Sequence, residues 1–425
     1  MSLNLPSHGW DNGCIDVYEK IECIGSGTYG QVYLATHRDT GDMVALKKIR
    51  SLNEVQGLPV TSIREIKVLK SLRHRNLVGL KEVIVTNEME DPDDDIVFEK
   101  CGPSADFTTG CIYLVLEYVE HDLTGLLDRQ YPFTDVEIKC IMKQLCEVMA
   151  VMHASNIVHR DIKCSNLLMT PKHVLKVADF GLARAINTDL NFTNKVRWHG
   201  ILVTQCFAAK VVTLWYRCPE LLLGATAYDA TVDMWSVGCV FVELYIGRPL
   251  FAGKNEMEQI RRIFDVCGSP TPATWPDHVN LPFASKFVPE TPMASRLQEF
   301  IKRETQARYP QRELPPGALE LMTSLLQLNP AKRHSAAAAL QSRYFRSDPM
   351  APKNPESLPP LANVPPSHEL QTKKIRKEQA AKRNLPQSIS SESRPLGSPL
   401  DPPLPTKRSK TSADPAIPKQ RYLGP

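Results

Sequence analysis

The run His159-Arg160-Asp161-Ile162-Lys163-Cys164-Ser165-Asn166 is followed, thirteen residues after its asparagine, by Asp179-Phe180-Gly181. Moving a phosphoryl group onto a hydroxyl needs a carboxylate to orient the attacking oxygen, a cation on the migrating group and hard oxygen ligands for Mg2+. Asp161, Lys163, and Asn166 with Asp179 supply these in that order. Each residue alone reads equally well as a surface polar group or a cap. The ordered set leaves that reading little room.

Upstream, Gly25-Ser26-Gly27-Thr28-Tyr29-Gly30-Gln31-Val32 forms a GxGxxGxV loop, whose missing side chains let backbone N–H groups approach phosphate oxygens. Two other readings compete, a plain glycine-rich hairpin and a dinucleotide loop. The latter needs a helix after the glycines, whereas QVYLAT continues as a strand. Lys47, in VALKK, is an ordinary strand lysine by itself; after such a flap it can reach phosphates if Glu65 orients it.

These residues must be positioned by a small sheet and by helices. YEKIECIGSGTYGQVYLATH reads as two strands joined by a glycine turn, and MVALKKIR as a third. TSIREIKVLKSL places Ile63, Ile66, Leu69 and Leu72 at helical spacing behind Pro59, so one helix is expected to pack on that sheet. CIYLVLEYV reads as a buried strand. From Phe133 onward helical segments dominate, among them VEIKCIMKQLCEVMAVMH and VDMWSVGCVFVELYIG. The expected class is α+β, a small β-rich lobe with one helix followed by a larger α-helical lobe.

Composition bounds the rest. With 425 residues and 42% hydrophobic content the chain can bury one large or two medium cores. Sixteen of the 34 prolines lie from Arg346 onward, where fourteen Lys and Arg face seven Asp and Glu. That stretch reads as a disordered basic tail, and basicity belongs to it and not to a nucleic-acid-binding fold. Eleven cysteines without a CxxC pair fit reduced thiols better than a disulfide framework or zinc site. No leader and no membrane span is expected, and no solenoid repeat is visible.

The glycine loop, Lys47, the HRDIKCSN run and DFG together resemble the protein kinase family over residues 18–345, with a 1–17 extension before and the 346–425 tail after. PVTSIRE is similar to the cyclin-binding helix of cyclin-dependent kinases, as are GTYG, DFGLAR and VVTLWYR. EHDLTGLL, TLWYRCPELLLG, CGSPTPATWPD and SHELQTKKIRK resemble the transcriptional, elongation-factor branch. That branch pairs with T- or K-type cyclins and phosphorylates the C-terminal heptad repeats of RNA polymerase II. The resemblance implies a bilobal kinase using ATP and Mg2+, proline-directed, with no direct nucleic-acid or membrane partner. Its ATP-binding set is Ile24, Gly25, Gly27, Gly30, Val32, Lys47, Glu65, Glu117, Val119 and Asp122, with Leu116 as gatekeeper, Glu117 and Val119 as the adenine hinge and Asp122 on the ribose. Asp161, Lys163 and Asn166 are catalytic, and Asn166 and Asp179 hold metal. Asp233 and the pair Glu220 and Arg333 are structural. The resemblance implies Thr193 as the activating phosphorylation site, its phosphate neutralising Arg64, Arg160 and Arg184. Thr28 and Tyr29 match an inhibitory phosphorylation pair, or are simply flap-tip residues. A cell-cycle or splicing-linked cyclin-dependent kinase would share every one of these residues.

Two departures stand out. The stretch about 88–110 is a long acidic insertion, read as a solvated loop. Fifteen residues, Val196 to Lys210, separate Thr193 from Val211, Val212 and Thr213, which in the family shape the pocket for the proline after the target residue and support the catalytic aspartate. Closing such a loop costs on the order of 1 kcal/mol, so folding is expected to survive while substrate docking is more exposed to damage. Deleting the fifteen restores the family phrase TNKVVTLWYRCPE; an in-frame insert running from Val to Lys has the ends of a retained short intron. An artefact or a minor isoform is the reading preferred, a genuine loop or a regulated splice form that disables docking is the rival, and a docking-impaired scaffold is the functional alternative. In the tail, Lys373, Lys374, Arg376, Lys377, Lys382 and Arg383, and then Lys407, Arg408 and Lys410, read as nuclear-localisation clusters, so a nuclear protein is expected. In the family the segment after the large lobe also lies near the nucleotide site.

Overall fold

The computed structural model describes residues 14–27, 30–49, 60–86, 111–185, 213–361 and 364–383. The flap tip with Thr28 and Tyr29, the acidic insertion, Thr193, the 196–210 insert, Val211, Val212 and the chain beyond Arg383 lie outside the described residues. The chain falls into one unit from Met1 to Gln379 and a second from Ala380, of which only the end of the last helix is described.

The small lobe is a five-stranded antiparallel sheet of β1 (Tyr18–Gly27), β2 (Gly30–His37), β3 (Met43–Ile49), β4 (Leu80–Thr86) and β5 (Cys111–Glu117), in the order β1-β2-β3-β5-β4. Strand β3 is central and buried on both faces, which is why it reads as a continuous apolar run. Val44 and Leu46 pack with Ala35, Ile84, Tyr113 and Val115 on one side. Ala45 and Ile49 turn to the other side and join the main core, and Lys47 shares their face by the period of two. Gly30 is required where it stands: its φ is +151°, and a Cβ there would lie 1.8 Å from the Lys48 carbonyl oxygen.

Helix α1 (Val60–Ser71) corrects one expectation. Leu69 is buried and Ile66 and Leu72 pack partly buried against the core as expected, but Ile63 is 49% exposed, and the most buried face also carries Ser62, Glu65 and Val68. Steps of three drift backward around a helix of 3.6 residues per turn, so the four apolar positions do not share a face. The inward face is the one that aims Glu65 at Lys47.

The large lobe is built on α2 (Leu123–Asp128), α3 (Asp135–Ala154), α4 (Thr231–Ile246), α5 (Glu256–Cys267), α6 (Leu297–Arg308) and α7 (Ala318–Leu325). A Thr134–Glu137 capping box starts α3, satisfying N–H groups at that helix end in both directions. Every residue of α4 from Val232 to Ile246 is buried, so this helix is hydrophobic all round because the other elements pack about it. Two small sheets, β6-β8-β9 (His121–Asp122, Leu167–Met169, Leu175–Val177) and β7-β10 (Ile157–Val158, Arg184–Ala185), flank the loop between β7 and β8. Among the described residues no helix is long and apolar enough to cross a membrane.

The chain after Phe345 also corrects its expectation. Leu361 is buried and its N–H donates to the Pro171 carbonyl, and His173 Nε2 meets the Pro359 carbonyl at 2.8 Å. Ser367 bridges His121, and α8 (Glu369–Arg383) follows, carrying Lys373, Lys374, Arg376 and Lys377 on a helix and not on flexible chain. Gly125 permits this approach, since a Cβ there would lie 2.2 Å from the Ser367 carbonyl oxygen. A composition averaged over eighty residues hides the few apolar anchors that hold this stretch down.

Candidate active site

The loop between β7 and β8 is fixed from below by Asp233, 1% exposed on α4. Its carboxylate accepts the N–H groups of His159 at 2.9 Å and Arg160 at 2.8 Å, and meets His153 Nε2 at 2.9 Å. Burial pushes its pKa up, but His153, His159 and the Arg160 N–H outweigh it, leaving the group below the usual carboxylate value. Arg160 sits at φ +65° and donates to the Leu182 carbonyl and the Tyr228 hydroxyl. So held, the loop presents Asp161 to the cleft.

Asp161 is bonded on both oxygens. Oδ1 accepts the Thr213 N–H at 3.1 Å and its hydroxyl at 2.9 Å; Oδ2 accepts Lys163 Nζ at 2.8 Å and Asn166 Nδ2 at 3.0 Å. Asn166 Nδ2 also donates to the Asp161 carbonyl at 2.8 Å, which leaves its Oδ1 as an acceptor. Lys163 further reaches Thr213 Oγ1 at 3.2 Å.

Across the cleft, Lys47 Nζ bonds both Glu65 oxygens at 2.8 Å and Asp179 Oδ1 at 2.9 Å. Burial opposes the Lys47 charge, but the two carboxylates overcome it and raise its pKa, so the ammonium is retained. Asp179 is pulled down to about 2, burial being outweighed by Lys47, and stays ionised at neutral pH. Asp179 adopts a left-handed conformation at φ +64°, turning Phe180 into the core against His159, with ring centroids 5.0 Å apart.

Between these clusters and β5 lies a cavity of about 450 Å³. Ile24, Val32, Ala45, Val78, Leu116 and Leu168 give it apolar walls suited to a flat ring. Gly25, Glu117, Val119 and Asp122 also line it; Gly27 lies at the end of β1, opposite Gly30. The Glu117 N–H is spent on the Gly79 carbonyl, and its side chain pairs with Lys176, so its contribution to a ligand is the carbonyl. Asp122, expected on a ribose, spends Oδ1 on the Gly125 N–H and Oδ2 on the Glu369 N–H, capping α2 and α8. His368, Glu369, Leu370 and Lys373 form part of the cavity rim. Burial, helped by His368 and Arg129, lowers His121 behind them to about 4, so it is neutral at pH 7.

Sequence reasoning missed Ala45, Val78 and Leu168, whose apolar types in strands carry no signal apart from ordinary core. Thr213, which the resemblance implied both for the docking pocket and for support of the catalytic aspartate, bonds the Asp161 carboxylate through its N–H and its hydroxyl. Glu220 and Arg333 do meet, bidentate at 2.7 and 2.9 Å, and both are buried. Arg64 is half-buried on α1 and Arg184 lies in β10 opposite Val158. Eight of the described cysteines are free thiols, Cys164 and Cys218 among them. Cys164 and Cys218, beside the site, are fully buried, and burial drives both thiols far above their usual value and out of reach of reagents.

The family model for the protein kinase domain matches residues 18–345. The chain is 46% identical over 391 residues to Cyclin-dependent kinase C-1 of Arabidopsis thaliana, covering 90% of this chain and 70% of that one. It is 42% identical over 337 residues to CTD kinase subunit alpha of Schizosaccharomyces pombe, covering 79% of this chain and 49% of the relative. A chain in the crystal structure of the yeast RNA Pol II CTD kinase CTDK-1 complex superposes with a TM-score of 0.63 at 35% identity, covering 81% of this chain and 95% of that one.

Proposed function

Because the chain belongs to the protein kinase family, in its transcriptional cyclin-dependent branch, we propose that it transfers the γ-phosphoryl group of ATP to Ser or Thr preceding proline in the heptad repeats of RNA polymerase II. The observation that carries this reading is the Asp161 carboxylate, held at the cavity by four donors from Lys163, Asn166 and Thr213, one of which gives way to an acceptor hydroxyl. Asp161 orients that hydroxyl and takes its proton, and Lys163, 2.8 Å away, stands by the charge that develops. The heptad substrate is supported by the similarity to proteins described as CTD kinases.

The residues fit the nucleotide and its metal. Apolar walls suit a purine, and Lys47, kept cationic by Glu65 and Asp179, suits phosphates. Asp179 and Asn166 Oδ1 are hard oxygen donors, and with few protein ligands the remaining positions fall to phosphate and water, as Mg2+ prefers. When bound, the metal neutralises charge on the phosphate oxygens.

A cyclin of T or K type would dock on α1. Ile63 at 49% and Val85 at 57% exposure are apolar groups on that side of the small lobe, which supports a protein partner there. Phosphorylation of Thr193 would draw together Arg64, Arg160 and Arg184, and modification of Thr28 or Tyr29 would act on the flap. Val211, Val212 and Thr213 would receive the substrate proline, and the basic clusters would direct the protein to the nucleus.

The test uses the full chain with a T- or K-type cyclin, ATP and a heptad peptide, beside the same peptide with its prolines replaced by alanine. Transfer to the serines of the first peptide alone is expected. Equal labelling of both, or labelling only of unrelated peptides, would refute the proline-directed heptad reading.

A further inference from the structure

Glu243, 4% exposed near the end of α4, takes no part in the chemistry above. It accepts the Tyr216 hydroxyl on Oε2 at 2.7 Å, and the buried Cys164 thiol lies beside both groups. Each member belongs to a different working part. Cys164 directly follows Lys163 in the catalytic loop. Tyr216 lies three residues after Thr213, donating its N–H to the Thr213 carbonyl at 3.0 Å, and its own carbonyl accepts Ser236 Oγ from α4 at 2.9 Å. Glu243 shares its helix with Asp233, which anchors the catalytic loop. A carboxyl buried this deeply is costly unless its bonds are kept, so the three parts can shift only together.

We infer that the Cys164–Tyr216–Glu243 cluster positions the phosphoacceptor, Glu243 holding the catalytic loop and the Thr213 loop in one relative register. This rests on the reading of the site as a peptide phosphotransferase. The groups facing the Glu243 carboxyl are Tyr216 from the substrate loop, Cys164 from the catalytic loop, Asp128 from α2 and Cys239 one turn earlier on α4. Burial pushes Glu243 up to about 7; the bonds from Tyr216 and Cys164 pull it down and Asp128 pushes it further up. Near neutral pH the carboxyl therefore changes from an acid that donates one bond to a carboxylate that only accepts. The hydroxyl and the thiol must then both donate to it, and the register of the two loops follows.

The test has two readouts on the full chain. The first is KM for peptide, beside KM for ATP, from about pH 6 to pH 8.5. The second is the fluorescence of Trp215, which adjoins Tyr216, is 42% exposed and donates Nε1 to the Gly253 carbonyl; it is isolated by difference from Trp215→Phe. The wild-type chain is expected to change peptide KM by about threefold or more and to show a Trp215 transition over this range, with KM for ATP constant. Glu243→Gln keeps the shape and the acceptor but cannot ionise, so both profiles become flat. Cys164→Ala removes one donor and moves the midpoint upward. A transition unchanged in Glu243→Gln, or turnover with a pH-independent peptide KM in the wild type, would overturn the inference. A Trp215 transition that Glu243→Gln abolishes, without peptide turnover at any pH, keeps the positioning cluster and removes the phosphorylation reading instead.

Discussion

Thr213→Val tests the geometry around Asp161 with almost no change in volume. It deletes the hydroxyl that donates to Asp161 Oδ1 at 2.9 Å and accepts from Lys163 at 3.2 Å, while the Thr213 N–H to the same Asp161 oxygen remains. A hydrogen bond to a charged group contributes about 1.5–3 kcal/mol, and about 1.4 kcal/mol is tenfold in rate, so kcat should fall roughly 10- to 150-fold. The lost bonds end on Asp161 and Lys163, so KM for ATP should be unchanged. Steady-state kinetics of the cyclin-bound chain measure both constants, and Thr213→Ser, which keeps the hydroxyl, should recover most of the loss. A valine variant with wild-type kcat, or a serine variant as impaired as the valine one, would refute the role given to this hydroxyl.

Lys47→Met removes the cation shared by Glu65 and Asp179, and kcat should fall about 100- to 1000-fold, as for loss of a preorganised charge-stabilising donor; single-turnover rates at saturating ATP check it. Arg333→Ala leaves Glu220 buried and unpaired and should cost about 3–5 kcal/mol in urea unfolding. Glu243 gives stability a pH dependence of defined sign. Its folded value of about 7 lies above the ordinary 4.5, so its contribution is fully present below pH 4.5 and is lost as pH rises to about 7. At about 1.4 kcal/mol per unit the decline amounts to about 3 kcal/mol, and Glu243→Gln should lack it in urea midpoints taken across that range.

The chemistry was legible wherever it sits in short fixed spacings. Asp161, Lys163, Asn166 and Asp179 fall within two local segments, and the strand period alone puts Lys47 on the cleft face of β3. What needed the fold was long-range. Thr213 meets Asp161 because the substrate loop returns over the catalytic loop, a contact implied by the family resemblance and by nothing in its neighbours in sequence. Asp122 was legible as a cavity residue, but its two capping bonds depend on a segment almost 250 positions later. Ile63 shows the limit of counting threes: the need to aim Glu65 inward selects the face of α1, and the apolar residues follow only in part. Glu243 was hidden in the apolar run of α4 after Ser236, where an acid on a helix buried on every side gives no periodic signal. The packing of residues 355–361 and 364–377 was hidden by the proline-rich composition around them.

The central claim is phosphoryl transfer by Asp161, and the most direct measurement compares the intact chain, the chain lacking residues 196–210, and Asp161→Asn in each. All are bound to the same T- or K-type cyclin and given labelled ATP and a heptad peptide. The account predicts labelled serine from at least one of the two chain lengths and its loss in the matching Asp161→Asn variant. ATP binding without peptide labelling in both lengths, or labelling that survives Asp161→Asn, would contradict it.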